Sequence, residues 1–250
     1  MKEETFNKWF NAFILLGMAV ALIITTAFKL GGTQTGKTLL VISAFGSLMG
    51  ILSSIFSANA KIWTFFFGLL DVSIYGIMCF INWKQGGSGL GNAILHMLYF
   101  VPMQFIGFWQ WKKRGTDSSD KLKARRLSTK KRVLFTALFI VSSIVAYFIL
   151  AEFDKSAADS YIKVAVVLDV LPLICNIFGQ LLMSTAYMEQ WLFWIGVNIF
   201  SIAMWSVSLK SGDSSFAVIY VIKYSFYFIN SINGLRIWLN ISKPEAGLQK

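Results

Sequence analysis

Charge, histidine and cysteine are all scarce in this chain of 250 residues: 14% of the residues are charged, one is histidine and two are cysteine. So little charge, beside 56% hydrophobic residues, excludes both an ordinary soluble domain and a disordered one. The lone His96 has no partners at ligand spacing and reads as a packed or hydrogen-bonded side chain rather than a metal ligand. Cys79 and Cys175 both fall inside apolar runs, where thiols act as small packing residues and a disulfide framework is not expected. No metal cluster, nucleophile–base pair or cofactor motif stands out, so neither an enzyme nor a bound cofactor is expected.

What the chain has instead is apolar length. Eight runs of about twenty apolar residues, enough to cross roughly 30 Å of hydrocarbon, fall at 9–28, 38–58, 62–82, 92–111, 133–151, 162–184, 191–209 and 216–239. A helix satisfies its own backbone hydrogen bonds in lipid, so the fold class is predicted as an all-α polytopic membrane protein of about eight transmembrane helices. The first run is longer than a signal-peptide core and lacks a small-residue cleavage site, so it is kept as a helix.

The net charge of +11 is unevenly spread, with ten of the 23 basic residues between positions 112 and 132. Such a loop belongs on the cytoplasmic side, where it touches anionic headgroups. Both termini, and the short connections at 59–61 and 187–190, then lie inside too. No aromatic residues interleave the charges, which argues against a nucleic-acid partner. Residues 31–38, GGTQTGKT, satisfy the phosphate-loop pattern. That chemistry needs a preceding strand and an α/β domain with a magnesium-binding acid, so the match reads as coincidence.

A shift of 127 residues lays Asp71 on Asn198, Phe67 on Trp194, Phe100 on Tyr227, Met103 on Asn230, Gly107 on Gly234 and Trp111 on Trp238 without a gap. Spans two to four therefore look like a divergent copy of spans six to eight. One span separates the copies, so both enter the membrane in the same direction, as in a transporter built from parallel repeats. The expected segments are an N-terminal helix and outer loop (1–37), a first three-helix repeat (38–111), a basic cytoplasmic loop with a linking helix (112–161), a second repeat (162–240) and a cytoplasmic tail (241–250).

The apolar helices carry polar faces. At about 100° per residue, Trp191, Trp194 and Asn198 fall within an arc of about 60°, which Trp205 continues. Span six aligns Asp169, Asn176 and Gln180 beside Pro172; span eight offers Lys223, Tyr227, Asn230 and Gly234; span three offers Thr64, Phe67, Asp71, Tyr75 and Asn82. Span four adds His96, Tyr99 and Met103 more loosely. A charge in lipid costs about 3 kcal/mol on insertion scales, so these faces are expected to look at one another or at water and to form a pocket. Asp169 and Lys223 read best as a structural ion pair. Asp71 reads either as helix packing or as a ligand or cation contact.

The pattern of Trp191, Trp194 and Asn198 (W-x-x-W-x-x-x-N) is preceded by YMEQ and followed by SFYFINSINGLRIW, and the chain also carries FFFGLLDVSIYG and FIGFWQW. From about residue 40 to 240 this resembles the PnuC nicotinamide riboside transporters. The resemblance implies a fold like a full-length SWEET transporter, with two parallel three-helix bundles joined by one linking helix. It implies a homotrimer in the bacterial inner membrane that moves nicotinamide riboside by facilitated diffusion, drawn inward as a cytoplasmic kinase phosphorylates the riboside. Trp191, Trp194 and Asn198 match the family's substrate-binding motif. Gln104 and Asn233 occupy amide positions near the ends of spans four and eight, and Asp71 stands where an asparagine is expected. Phe67, Tyr227 and Asn230 complete the expected binding set.

The ligand suits the motif, since a tryptophan face attracts a flat pyridinium cation by about 0.5–2 kcal/mol per contact. Asn198 offers a hydrogen bond to the carboxamide or the ribose. The expected action is alternating access by rocking of the two bundles around a site at their interface. Thiamine, riboflavin or another nucleoside-like vitamin remains an alternative substrate, and a non-transporting membrane sensor or scaffold an alternative of another class.

Overall fold

The computed structural model describes residues 3–30, 37–84, 90–116, 122–153, 160–211 and 217–243. Among the described residues every regular element is helical, and one isolated β-bridge joins Arg125 to Tyr187. The helices are α1 (Glu3–Leu30), α2 (Lys37–Ala58), α3 (Thr64–Lys84), α4 (Leu90–Leu95), α5 (Val101–Trp111), α6 (Thr129–Phe153), α7 (Ser160–Ser184), α8 (Gln190–Ser211) and α9 (Ala217–Ile241). A π-helical turn, His96–Phe100, joins α4 to α5, so together they form one broken rod, the fourth expected span. A second such turn, Lys112–Thr116, ends α5, with Gly115 at φ 97° closing it in a backbone region open to glycine.

Six helices among the described residues, α1, α2, α3, α6, α7 and α8, are long and apolar enough to cross a membrane. The fourth span misses that measure because the π turn divides it. The eighth, α9, runs for 25 residues but carries Lys223, Asn230, Asn233 and Arg236 along its length. Large apolar side chains on α1 and α6, such as Leu16, Phe28, Val133 and Phe148, face outward, as lipid-contacting helices require. The phosphate-loop match at 31–36 lies outside the described residues; Lys37 opens α2.

Two compact units divide the chain, Met1–Leu122 and Lys123–Lys250. In the first, α3 packs against α2 on one side and the broken α4–α5 rod on the other. The α1 helix lies along α2 and is pinned at the turn after α2, where Asn59 Nδ2 donates to Asn11 Oδ1 at 3.2 Å. In the second unit α8 is the middle helix, flanked by α7 and α9, and α6 lies on the outer side of α7. Phe135, Phe139 and Tyr147 of α6 close over a cluster of Val166, Val170, Ile174 and Phe178. Pro172 interrupts the donors of α7, and Asn176 Nδ2 donates back to the Pro172 carbonyl at 2.9 Å.

The internal repeat is written in backbone hydrogen bonds. At the end of α2, Ala60 N donates to Ser57 O and Lys61 N to Phe56 O; at the end of α7, Ala186 N donates to Met183 O and Tyr187 N to Leu182 O. Both turns hold an alanine in the left-handed region, Ala60 at φ 53° and Ala186 at φ 60°, which is the helix stop that glycine usually makes. The next helices then open alike, Thr64 N to Lys61 O and Gln190 N to Tyr187 O. These pairs are offset by 126 residues, Ala60 onto Ala186, and not by the 127 that the ungapped alignment uses. Trp191 therefore corresponds to Phe65, Trp194 to Gly68 and Asn198 to Val72, correcting the pairing of Trp194 with Phe67 and of Asn198 with Asp71. The offset of 127 holds for the third helices, where Gly107 and Gly234 each abut an aromatic ring. The change falls between α3 and α5, the stretch in which the first copy has its π turn and α9 of the second runs on as an α-helix.

Candidate functional site

Helix α8 divides its aromatic and amide residues between two neighbours. Trp194 lies on α7, its ring atoms Cδ2 and Cε2 3.3 Å from where a side chain would begin on Gly179. Trp191 turns the other way onto α9: its ring comes within 2.5 Å of the position a methyl would take on Gly234, and it meets Trp238 edge-on at 6.4 Å. Asn198, two turns deeper, donates from Nδ2 to Ser231 Oγ of α9 at 3.0 Å. At 234 only glycine lets the indole approach the helix backbone this closely, while at 179 the fit is tight but looser.

The expected single wall is thus two walls. Trp191 is 1% exposed and clasped by α9, so it serves as a packing pin, whereas Trp194 keeps part of its surface open. Asn198 is buried at 3% exposure. Around them several buried polar atoms have no hydrogen-bond partner: Trp191 Nε1, both amide atoms of Gln190, and Asn233 Nδ2, whose Oδ1 accepts from Arg236 Nε at 3.1 Å. Each such atom left unpaired costs about 1–3 kcal/mol, so their gathering on α8 and α9 makes this the candidate site.

The other expected residues sort by unit. Asn230 is fully buried on α9, and Tyr227 is half-buried, its ring meeting Tyr224 edge-on while Lys223 Nζ sits 5.3 Å away over it. The Asp169 side chain lies outside what the structure describes, so the Asp169–Lys223 pair does too. In the first unit Phe67 stacks face to face on Phe56 at 5.3 Å, and Asp71 is half-buried. Gln104 is buried with an unpartnered Oε1, 2.7 Å from the would-be Cβ of Gly68, and Ser53 Oγ stands 3.0 Å away on the other side. Gly68 corresponds to Trp194 and Ser53 to Gly179, so the first copy holds a small polar cradle where the second holds an indole on glycine. His96 sits between the rings of Tyr75 and Phe100, at 4.6 and 4.8 Å, a packed position as expected.

A strap absent from the sequence reading closes one end of the second unit. Arg125 N donates to Ala186 O at 2.8 Å, Met188 N donates to Arg125 O at 2.9 Å, and the Arg125 guanidinium covers the Tyr187 ring at 4.4 Å. Arg126 reaches Ser242 Oγ and the Leu239 carbonyl at the end of α9. Glu189 Oε1 accepts from Leu127 N at 3.0 Å and from Arg132 Nε and Nη2 at 3.1 Å. Three arginines of the basic run thus bind protein groups beyond any topology signal.

A repeated three-helix membrane protein that gathers amides and indoles in its helical interior has the make-up of a solute transporter. The chain is a member of the nicotinamide mononucleotide transporter family, whose model matches residues 40–240. It is 30% identical over 211 residues to the nicotinamide riboside transporter PnuC of Neisseria mucosa, covering 82% of this chain and 74% of that protein. The protein of the same name from Haemophilus influenzae is 28% identical, with 81% and 80% covered. The crystal structure of a vitamin B3 transporter PnuC superposes with a TM-score of 0.61 at 26% identity, covering 92% of this chain and 91% of that one. The family is one of transporters, not enzymes, and the helical membrane fold agrees with the expectation drawn from the sequence.

Proposed function

We propose that this protein carries nicotinamide riboside across the bacterial inner membrane by facilitated diffusion with alternating access. The observation that carries the reading is Trp194, a half-buried indole laid on Gly179 of α7, with Asn198 one turn deeper on α8 and turned toward Ser231 of α9. The indole supplies a face for a flat cation, worth about 0.5–2 kcal/mol. Asn198 holds its amide nitrogen against Ser231 and so offers a ligand its carbonyl oxygen, an acceptor suited to a ribose hydroxyl. The names of the relatives point to the riboside, while the family's description names the mononucleotide. The residues we assign to it are Trp194 and Asn198 at the ligand, Trp191 as the pin behind them, and Asn233, Asn230 and Tyr227 as further contacts in the second unit; Gln104, Phe67 and Asp71 are assigned as binding residues of the first unit on the sequence pattern. Homotrimeric assembly, cytoplasmic termini and a riboside kinase that draws the flux inward belong to the same proposal.

Titration of the purified protein with nicotinamide riboside, its mononucleotide, thiamine and riboflavin tests the reading. The riboside is expected to bind most tightly, and Trp194→Ala to weaken it at least tenfold with the oligomer unchanged. A tighter grip on thiamine or the mononucleotide, or wild-type affinity in Trp194→Ala, overturns it. Binding without equilibration of labelled riboside into liposomes would establish a sensor instead.

A further inference from the structure

Gln190, the first residue of α8, is fully buried, and neither its Oε1 nor its Nε2 has a hydrogen-bond partner. Burying a whole carboxamide unpaired is costly, about 1–3 kcal/mol for each group left unsatisfied. Position explains it better. Gln190, Trp194 and Asn198 are spaced four residues apart on one continuous helix, so they form a single ridge that drifts only about 40° per step, with neighbours about 6 Å apart. The residue equivalent to Gln190 in the first copy is Thr64, whose Oγ1 donates to the Ser53 carbonyl of α2 at 2.9 Å. Ser53 in turn corresponds to Gly179, the residue on which Trp194 lies. The same correspondence assigns Gln190 to the α7 side of α8, next to Trp194 on the ridge, with a longer side chain than Thr64 and an unspent amide.

We infer that Gln190 is a specificity-determining residue that reads the carboxamide of the ligand, at the opposite end of the Trp194 ring from Asn198. The reading rests on the riboside proposal above. The two amides are not equivalent: Asn198 has one of its two N–H groups held by Ser231, while Gln190 has its whole amide unspent. A carboxamide is the group that answers a free carboxamide at two points, N–H to carbonyl in each direction. The ridge therefore holds an acceptor for the sugar, a flat face for the pyridinium and a matched pair for the carboxamide, in the order in which those groups occur along the riboside. A site that pairs a ligand amide discriminates against analogues lacking it, because its own polar atoms are then left unpaired.

The test compares nicotinamide riboside with the riboside of unsubstituted pyridine, which lacks only the carboxamide, on the full-length protein. Gln190→Met, nearly the same size and without hydrogen-bonding capacity, is expected to weaken nicotinamide riboside by about tenfold to a hundredfold. The pyridine riboside should bind wild type and Gln190→Met equally. Gln190→Asn, which keeps the amide but shortens its reach, is expected to fall between. Equal losses for both ribosides, or no loss for either, overturn the assignment. Should wild type bind neither riboside while Trp194→Ala changes nothing, it is the transport substrate that is wrong, and the role of Gln190 falls with it.

Discussion

At the scale of single residues, the candidate site is decided by glycines as much as by aromatics. A methyl group at 234 would sit 2.5–2.6 Å from three atoms of the Trp191 ring, and an indole clasped between α9 and Trp238 cannot retreat like a flexible side chain. Replacing glycine by alanine inside a helix gains about 1 kcal/mol of propensity. Overpacking against a rigid ring costs about 1–3 kcal/mol, and here it dominates. Gly234→Ala is therefore expected to lower stability in thermal unfolding of the detergent-purified protein and to weaken ligand binding. At Gly179 the nearest ring atom is 3.3 Å away, so the two effects nearly cancel, and Gly179→Ala should unfold close to wild type. Equal stability of the two variants would contradict the view that Trp191 is a pin and Trp194 a looser face.

At the scale of elements, the strap over residues 123–132 makes α6 part of the second unit and not merely a tether. Its ion pair is asymmetric: the Glu189 side chain is 6% exposed and that of Arg132 is 50% exposed. Removing the arginine strands a buried carboxylate with one backbone donor, Leu127 N. Removing only the charge of Glu189 leaves a carbonyl that still accepts from Leu127 and Arg132. Arg132→Ala is thus expected to destabilise more than Glu189→Gln, by about 1–2 kcal/mol after allowing for the solvent around Arg132, and Glu189→Gln should restore part of what Arg132→Ala loses. Unfolding of the two single variants and the double variant measures this, and additive losses would sink it. The helices themselves were legible in the apolar runs, since a membrane span must be continuous and about twenty residues long, and the observed ends fall within about four residues, as for 162–184 and Ser160–Ser184, except that α1 begins at Glu3 and not at 9. The strap was hidden because contacts such as Arg126 to Leu239 O join residues far apart in sequence and follow no period. The π turn at His96–Phe100 was hidden because it changes backbone pairing without changing apolar pattern. That turn lies in the stretch where the repeat offset shifts, so the ungapped alignment placed the third helices correctly and the second ones a residue out. In the candidate site, the W-x-x-W-x-x-x-N spacing singled out Trp194 and Asn198. It passed over Gln190, whose buried, unpartnered amide only the packing shows.

At the scale of the whole molecule, the two copies have kept a backbone and exchanged its contents. The turns at Ala60 and Ala186 match bond for bond, yet Gly68 and Ser53 stand where the second copy has Trp194 and Gly179. Coupling uphill transport to an ion needs in addition a titratable or cation-binding group whose charge state differs between access states. On the ridge of α8 the candidates are absent, because Gln190, Trp194 and Asn198 do not ionise. Asp71 of α3 is the acid closest to such a role, and the register of the turns pairs it with Val197 and not with Asn198. Asp71→Asn is accordingly expected to change the rate of riboside entry into liposomes without changing its end point, an internal concentration equal to the external one. Wild-type liposomes should reach the same end point whether or not a proton or sodium gradient is imposed. Accumulation above the external concentration that a gradient drives and Asp71→Asn abolishes would make Asp71 a coupling residue and the protein a pump.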